Sequence, residues 1–373
     1  MSTMIFTIRN SDFTPVAILD EYSSAIWTER FTDCGDFEIE IPATAQFLAY
    51  MSIGNLLTLD GSDTVMIVES LSLKSEGKAA TLKVKGRSID SILERRIVWG
   101  QANLSGYIGP QLNTLIQNNM IDPKKPNPNN PSTLISAPER KISGWYFVIP
   151  SQHTELGQNQ IDVQFTGDSL RDAIKSVCEV VGAGIRVVRR NGRFEIELYM
   201  GSDRTISQFN FEPVIFSPEY DTLVSSEYYQ DYQNYKNVAL VMGEDSGVNR
   251  KRETVYYENT EPSGLERREL YVDARDLQSD MDDGQTMSDS DYRARLIYRG
   301  LSKLLDKENA VSTSFDGEIE TKIGPEYGTD FFLGDKVSTL NEYGFGSTAQ
   351  ITEYIRSFDT NGYSEYPTFT MLN

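Results

Sequence analysis

Alternating apolar and polar positions dominate the beginning of the chain and predict antiparallel strands. In residues 26–31 (IWTERF), Trp27, Glu29 and Phe31 alternate with Ile26, Thr28 and Arg30. FEIEI at 37–41 alternates strictly, and VMIVESLSL at 65–73 follows a Gly-Ser-Asp turn. SIDSILERR at 88–96 then predicts a short helix that closes this block. We therefore expect a first β domain over residues 1–99.

The middle of the chain mixes helical and strand patterns. GPQLNTLIQNNM at 109–120 predicts a helix, and a second helix is predicted over 168–181. Four prolines fall within DPKKPNPNNP at 122–131, which predicts an extended surface loop. Asn191-Gly192 lies between two alternating runs, which is a strong hairpin signal. Residues 100–205 are therefore predicted to form a small peripheral α+β domain.

Strand patterns return from about residue 206 and continue to the end, with one interruption. A polar, acidic passage leads into a helix predicted over 291–307, with Ser288 or Asp289 as its cap. The apolar stripe of this helix includes Tyr292, Leu296, Leu301, Leu304 and Leu305. We predict a second β domain made of 206–258 and 309–373, with a helix-containing domain inserted at 259–308.

The end of the chain is similar to its beginning. The aligned segments are GNLLTL (54–59) with GDKVSTL (334–340), VMIVESLSL (65–73) with AQITEYIRS (349–357), and ATLKV (80–84) with PTFTM (367–371). This alignment places Glu69 on Glu353, and a weaker similarity places Glu29 on Glu227. Any two antiparallel meanders share an alternation with only two phases, but three segments in the same order favour a duplication. Two related β-barrels in one chain would follow.

The net charge of −20 and the pI near 4.5 narrow the choice of partners. They argue against a reader of duplex DNA, because such binding depends on Lys and Arg neutralising phosphates. They also disfavour docking on anionic lipid. No apolar run approaches the roughly 18 residues of a membrane span, and the N-terminus lacks a signal-peptide pattern. We expect assembly in a cytoplasm and no membrane partner.

Few residues are suited to nucleophilic or metal chemistry. His153 is the only histidine and lies in a polar, loop-like stretch, and no serine has an elbow-like G-x-S-x-G context. A single histidine also excludes HExxH and Cys/His zinc sites. Cys34 and Cys178 match no metal or disulfide spacing, so a reduced, buried Cys178 is expected. We predict no catalytic residue, no cofactor and no metal.

Two charged clusters also have possible functions. The aspartates before the last predicted helix are Asp280, Asp282, Asp283, Asp289 and Asp291. Their spacing fails the EF-hand pattern, so a solvated loop is favoured over a calcium site. The arginines of the predicted hairpin are Arg186, Arg189, Arg190 and Arg193. They favour a salt-bridging or interface patch over a nucleic-acid site.

A glycosidase that uses two carboxylates distant from each other along the chain stays open.

AILDEYSSAIWTERFTDCGDFEIEIPA at 17–43 resembles the opening of the siphophage tail-hub proteins, the baseplate hubs and N-terminal parts of tail-associated lysins. Their pattern is S-x-x-W-x-E-R followed by G-D-F-E-[IL]-x-[IL]-P. The matching positions here are Trp27, Glu29, Arg30, Gly35, Asp36, Phe37, Glu38 and Pro42. The resemblance continues through GRSIDSILERRIV at 86–98 and YGTDFFLGDKVST near the end, and is weakest over 100–160 and 277–290. None of these motifs contains a catalytic residue.

The resemblance implies a mainly β hub with α+β additions. Its parts would be two tube-like antiparallel β-barrels, a peripheral α+β domain and a small helix-containing insertion, assembled as a homotrimer. Two barrels in each of three chains would give six barrel positions, which fits a six-fold tail tube above and a three-fold tip below. The implied partners are the distal tail or tail tube protein, the tape-measure protein, and tail-fibre, receptor-binding or baseplate proteins. Phage DNA would pass without specific binding. We expect a structural, non-enzymatic protein of the virion tail tip, assembled in the host cytoplasm.

Two other function classes remain open. One is a receptor-binding or carbohydrate-binding module of the tail tip, against which the repeat argues. The other is a tail-associated cell-wall hydrolase. The sequence ends at TFTMLN, just after the last predicted barrel strand, where many relatives continue into such an extension. This argues against a lysin.

Overall fold

The computed structural model describes residues 4–76, 79–258, 260–280, 285–306, 308–310, 312–319, 324–341, 343 and 348–372. These residues are mainly β, which confirms the predicted fold class at that level. The strands are β1 Phe6–Arg9, β2 Pro15–Leu19, β3 Ser24–Arg30, β4 Asp36–Pro42, β5 Leu56–Leu59, β6 Val65–Glu76, β7 Ala79–Ser88, β8 Gln101–Tyr107, β9 Lys124–Asn127, β10 Asn130–Ser136, β11 Trp145–Val148, β12 Gln160–Thr166, β13 Gly184–Arg190, β14 Arg193–Tyr199, β15 Ile215–Phe216, β16 Leu223–Asp231, β17 Val238–Met242, β18 Arg252–Tyr256, β19 Glu269–Asp273, β20 Ser312–Ile319, β21 Lys336–Thr339, β22 Thr348–Asp359 and β23 Gly362–Met371. The α-helices are α1 Ala45–Tyr50, α2 Ile108–Ile116, α3 Leu170–Val181 and α4 Asp289–Leu305.

The chain divides into two compact units, each built from separated segments. The first unit comprises Met1–Ser91, Gly184–Tyr229 and Thr313–Asn373, and the second comprises Ile92–Ala183 and Gln230–Ser312. The hairpin β13–β14, assigned from sequence to the peripheral domain, lies in the first unit. β17 and β18, assigned to the second β domain, lie in the second.

One large sheet organises the first unit. Its strand order is β16-β20-β23-β22-β3-β4-β7-β6-β5-β1-β2, and β21 pairs with both β22 and β15. The sheet contains the same five-strand arrangement twice. The first strand repeat is β3-β4-β7-β6-β5, and the second strand repeat is β16-β20-β23-β22-β21.

The hairpins β6–β7 and β22–β23 correspond residue by residue at a spacing of 283 positions. At this spacing Val65 corresponds to Thr348 and Ser88 to Met371. The first and last residues of β6 and β7 therefore correspond to those of β22 and β23. Each hairpin also has a β-bulge at the same place, after Val68 in one and after Ile351 in the other. Conserved register and a shared bulge support the predicted duplication more directly than the alignment of apolar residues does.

The register corrects the alignment of these strands. Val68 corresponds to Ile351, because Gly54 N–H donates to Val68 O as Gly334 N–H donates to Ile351 O, both at 2.8 Å. Glu69 is therefore equivalent to the bulge residue Thr352 and not to Glu353. The sequence alignment of ATLKV with PTFTM, which matches Leu82 with Phe369, is also wrong. At the spacing of 283 positions, the residue of β7 equivalent to Phe369 is Gly86.

Each strand repeat has its own apolar core. In the first, Trp27, Phe37 and Val84 are buried among the side chains of the surrounding strands. In the second, Phe216, Phe331 and Phe369 meet, with ring centroids 5.0 and 5.3 Å from Phe216. In β4 the buried residues Phe37, Ile39 and Ile41 alternate as the period-two pattern predicted.

The second unit combines short sheets with helices. β17 pairs with β18 and β19, and α4 packs on them through Tyr292, Leu296 and Leu304. Ser288 caps this helix, because its hydroxyl accepts from Asp291 N–H at 3.2 Å, which confirms one of the two predicted caps.

Other local predictions have mixed outcomes. Asn191 and Gly192 both have positive φ, 50° and 78°, and join β13 to β14 as predicted. The predicted helix over 88–96 is a 3-10 helix at Ile89–Arg95. The prediction of a loop over 122–131 is wrong, because β9 and β10 form a hairpin there. Proline is tolerated in a two-stranded ribbon, where each strand has an edge that needs no N–H donor.

Candidate assembly site

The two strand repeats meet where β22 pairs with β3. The first residues of β22 pair with β21, and residues Glu353 to Phe358 pair antiparallel with Arg30 to Ala25. Phe31 N–H extends the ladder by donating to Thr352 O at 2.9 Å. The bulge at Thr352 thus lies where β22 changes its neighbour. Backbone hydrogen bonds therefore join the two repeats into one continuous sheet.

A buried carboxylate lies at the centre of this junction. Glu29 is 7% exposed, and its Oε1 accepts from Arg356 Nη1 at 3.0 Å, Trp27 Nε1 at 3.1 Å and Ser62 Oγ at 2.7 Å. Its Oε2 accepts from the Tyr327 hydroxyl at 3.2 Å. Four donors, one of them the cationic Arg356, satisfy the carboxylate, which is what a buried charge requires.

Aromatic rings enclose the cation of this pair. Tyr327 and Tyr354 stack with centroids 3.8 Å apart, and Arg356 lies 5.4 and 5.2 Å from their ring centres. Burial raises the pKa of both tyrosines, so their hydroxyls stay protonated. Burial alone would lower the pKa of Arg356, but the Glu29 carboxylate raises it. The group therefore remains a cation within the junction.

A second ion pair lies on the other face of the same strands. Arg30 Nε donates to Glu353 at 2.7 Å, and its Nη1 donates to the Cys34 carbonyl at 2.8 Å and to Asp36. Arg30 thus ties β22 to both β3 and β4. Four of the residues that carry the family resemblance, Trp27, Glu29, Arg30 and Asp36, take part in the hydrogen bonds of this junction.

Gly35 in the same motif also has a packing role. A Cβ placed there would lie 2.3 Å from the Thr28 carbonyl oxygen, so any larger residue would force the main chain apart. The sequence indicated that this motif contains no catalytic residue, but it did not indicate which contacts the motif makes. The structure assigns it to joining strands that lie more than 300 residues apart in the chain.

The residues considered for chemistry are dispersed. His153 ends a 3-10 turn at Ser151–His153, within the stretch expected to be a loop. Cys178 is buried in α3, which raises the pKa of its thiol to about 12. Cys34 is half-buried and its thiol approaches Asp90 Oδ2 at 3.4 Å.

The acidic cluster is only partly described. Asp289 and Asp291 occupy the first turn of α4, where negative charge favours the helix N-terminus. Asp280 lies before the helix, while Asp282 and Asp283 lie outside the described residues. Within the described ranges, no group of three or more His, Cys, Asp or Glu side chains could hold a metal ion. No helix in the same ranges is long and apolar enough to cross a membrane.

The arginines of the β13–β14 hairpin form ion pairs, which confirms that part of the prediction. Arg186 donates to Glu197 at 2.9 Å, and Arg190 also contacts this carboxylate, which is 1% exposed. Arg193 donates to Glu195 at 2.9 Å. Arg189 lies over the ring of Phe13 at 4.1 Å. Most of this positive charge is therefore engaged within the first unit.

A small cavity of about 110 Å³ lies between β12, α3 and α4 in the second unit. Its cationic side chains already have carboxylate partners. Arg295 donates to Asp162 at 3.1 Å and Arg299 to Asp276 at 2.8 Å. Burial raises the pKa of Asp162, against the effect of Arg295. The paired charges leave little capacity for binding an anionic ligand.

The Siphovirus ReqiPepy6 Gp37-like protein family matches residues 5–369 of this sequence. The chain belongs to this family of phage tail proteins. That assignment confirms the resemblance found in the sequence motifs, and it supports a structural role over an enzymatic one. A comparison with curated proteins found no significant match.

Solved structures of tail proteins share the fold. The 43 kDa tail protein of prophage MuSo2 from Shewanella oneidensis has a TM-score of 0.61 at 12% identity, covering 99% of this chain and 98% of that one. A tail protein from Neisseria meningitidis MC58 has a TM-score of 0.58 at 12% identity, covering 99% and 97%. Tail protein gp18 of a Listeria monocytogenes EGD-e prophage has a TM-score of 0.53 at 12% identity, covering 99% and 94%. At this identity the likeness concerns the fold.

Proposed function

We propose that this family member is the hub subunit of a phage tail tip, and that three copies form a ring. The duplicated strand order is the observation that carries the proposal. Two equivalent repeats in each of three chains supply six similar positions, so the ring could contact a six-fold tail tube on one side. On its other side the same ring would present three-fold symmetry to a fibre, spike or baseplate protein.

Each strand repeat is proposed to close into a tube-like antiparallel barrel. The division into 1–99, 100–205, 206–258 with 309–373, and 259–308 gives two barrels, a peripheral domain and an insertion. Closure would remove most exposed strand edges and leave the remaining ones for neighbouring subunits. The partners proposed are the distal tail or tube protein, the tape-measure protein, and a tip fibre, receptor-binding or baseplate protein.

The charge of the chain suits passage of DNA through such a ring. Three chains of −20 would carry about −60, and a narrow channel focuses the field of its wall charges. At physiological salt the Debye length is about 8 Å, so only charges near the wall act on the DNA. We therefore expect more Asp and Glu than Lys and Arg on the bore. The Arg186–Arg193 hairpin should lie on the periphery or at a contact.

The test is the mass and symmetry of the purified protein, alone and mixed with the distal tail protein of the same phage. Light scattering should give the mass of a trimer, and electron-microscopy class averages should show a ring with six similar lobes. A protein that stays monomeric even with the distal tail protein would contradict the proposal. A trimeric ring whose bore is lined by Arg186, Arg189 and Arg190 would contradict only the charge argument.

A further inference from the structure

We propose that the edge of β6 from Ser70 to Leu73 binds the β16 strand of a second copy of this chain, by antiparallel pairing. This inference rests on the proposed trimeric ring and specifies the strands that would close it. Within one chain, β22 of the second strand repeat pairs with β3 of the first. The same pairing made between chains would use the equivalents of those strands, which are β6 and β16.

The edge of β6 is available for this pairing at the required place. On its β5 side, β6 hydrogen-bonds as far as Val68, through Asn55 and Gly54. Beyond the bulge, no strand among the described residues pairs with β6 on that side. At the equivalent place on β22, from Glu353 onward, β3 forms the ladder. Within the described ranges, β22 thus has a neighbouring strand at the place where β6 has none.

β16 is the strand that should fill this position. It ends the large sheet and pairs with β20 alone among the described strands, as β3 pairs with β4. Its equivalent β3 makes two pairings, one with β4 and one with β22. Among the described strands, β16 therefore lacks the second neighbour that its equivalent β3 has, and the edge of β6 lacks the strand that pairs with the equivalent edge of β22.

The side chains of the β6 edge support burial on assembly. Leu71 is 37% exposed and Leu73 is 58% exposed, although both are large and apolar. Their equivalents Tyr354 and Arg356 are 1% and 9% exposed in the junction with β3. An exposed strand edge with apolar side chains is a liability that proteins usually protect, so a dedicated partner is the simplest explanation.

The proposed register combines the ladder equivalence of β6 with β22 and the sequence alignment of β3 with β16, and the second of these is what the cross-linking below tests. Arg356 lies opposite Trp27 and Tyr354 opposite Glu29, and the alignment of Glu29 with Glu227 places Trp27 on Ser225. The same alignment matches Ala25 with Leu223, and both residues are buried, which agrees with the assignment of alternate residues to the inner face. Leu73 would therefore lie opposite Ser225 of the second copy, and Leu71 opposite Glu227. Tyr229, 48% exposed, would lie diagonal to Leu71.

The contact is head-to-tail, since β6 and β16 are different surfaces of the chain. Such a contact closes into a ring when the rotation between copies permits it. Each copy would use its own β6 on one side and its own β16 on the other. The ring would then alternate pairings within chains and between chains.

Cysteine cross-linking tests the register in the full-length chain. Leu73→Cys with Ser225→Cys puts two thiols opposite each other in a hydrogen-bonded pair, at a Cα separation of about 5.5 Å that suits a disulfide. Mild oxidation with diamide should give a covalent trimer on a non-reducing gel. Ser75→Cys with Ser225→Cys is the matched control, because diagonal neighbours lie about 7–8 Å apart and should link poorly. The native chain, with Cys34 and Cys178 only, gives the background.

A second pair of variants does not depend on disulfide geometry. Leu71→Lys with Leu73→Lys should abolish the trimer in light scattering while leaving the thermal midpoint of the monomer unchanged. Ile18→Lys, at an apolar position on β2 that is more exposed than either leucine, should leave the trimer intact. A native trimer that resists the lysine pair and links better through Ser75 than through Leu73 would overturn the β6–β16 pairing and leave the hub proposal standing. A native chain that forms no trimer, with or without the distal tail protein, would overturn both.

Discussion

Replacing Arg356 by Met tests whether the junction between the repeats depends on its buried ion pair. The substitution keeps an unbranched side chain of similar length and leaves the Glu29 carboxylate without its cation. The two side chains are 10% and 9% exposed and 3.0 Å apart. Removing one partner of a buried pair costs about 3–5 kcal/mol, because the other charge stays buried and uncompensated. Trp27 and Ser62 still donate to the carboxylate, which favours the lower end of that range.

The assay is thermal unfolding followed by circular dichroism, with native and variant proteins at equal concentration. For a unit of nearly 200 residues, about 3–5 kcal/mol corresponds to a midpoint lowered by about 6–20 °C. Lys83→Met is the matched control in the same unit, since Lys83 bonds Glu38 at the shorter distance of 2.5 Å but is 39% exposed. A partly exposed pair contributes about 0–1 kcal/mol, so that midpoint should move by at most a few degrees.

Glu29→Gln completes a double-mutant cycle. Glutamine still accepts from Trp27 and Ser62, while Arg356 loses its counter-ion. Each single variant leaves one buried charge without its partner, whereas Glu29→Gln with Arg356→Met leaves no buried charge. The loss of unfolding free energy in the double variant should therefore be smaller than the sum of the losses in the two single variants. Additive effects, or an Arg356→Met midpoint within 2 °C of the native one, would show that the pair does not hold the repeats together.

Four further results are expected. Cys178 should resist iodoacetamide at pH 8 until the chain unfolds, since a thiol pKa of about 12 leaves about a thousandth of the usual thiolate; mass spectrometry of labelled peptides would show this. Gly86→Ala should lower the thermal midpoint by overpacking worth about 1–3 kcal/mol, because a Cβ there would lie 1.8 Å from the Ile67 carbonyl oxygen. Ser288→Ala should remove a helix cap worth about 1 kcal/mol, measured by denaturant unfolding. His153→Ala should leave assembly and infectivity unchanged, with an effect on stability under about 0.5 kcal/mol; loss of a bond-cleaving activity in that variant would contradict a non-enzymatic hub.

Local features of the fold could be predicted from sequence because they depend on neighbouring residues. Alternation predicted β3 and β4, and Asn191-Gly192 predicted the turn between β13 and β14. The cap at Ser288 follows from its place before an amphipathic run. Each of these signals is complete within a short window of sequence.

The equivalence of the two repeats could be detected from sequence, but its register could not. Alternation shows only which residues of a strand share a face, so it does not distinguish alignments that differ by two residues. A bulge adds one residue and thereby reverses which residues face inward within the same strand. Residues Val65 to Val68 are all buried, so β6 has no single apolar face before its bulge. The match of Glu69 with Glu353 was therefore plausible in sequence, although the ladders exclude it.

The role of the W-x-E-R and G-D-F-E motifs was also beyond the sequence. Glu29 meets Arg356 only because β3 and β22 pair across almost the whole length of the chain. No local pattern records that contact. An alternating strand predicts which side chains face inward, but it does not predict which strand lies beside it.

Duplication would let the two junctions of such a ring acquire different chemistry. The junction within the chain contains a buried ion pair, Arg356 with Glu29, and both charges lose water as the chain folds. At the edge proposed to join separate chains, Leu73 replaces Arg356. A charge there would have to lose its hydration when two folded subunits associate, and that penalty would oppose assembly. A leucine instead gains free energy from the area it buries. On the β6 side, the substitution of an apolar residue for a cation therefore favours assembly from folded subunits, whereas β16 keeps a carboxylate, Glu227, at the position equivalent to Glu29.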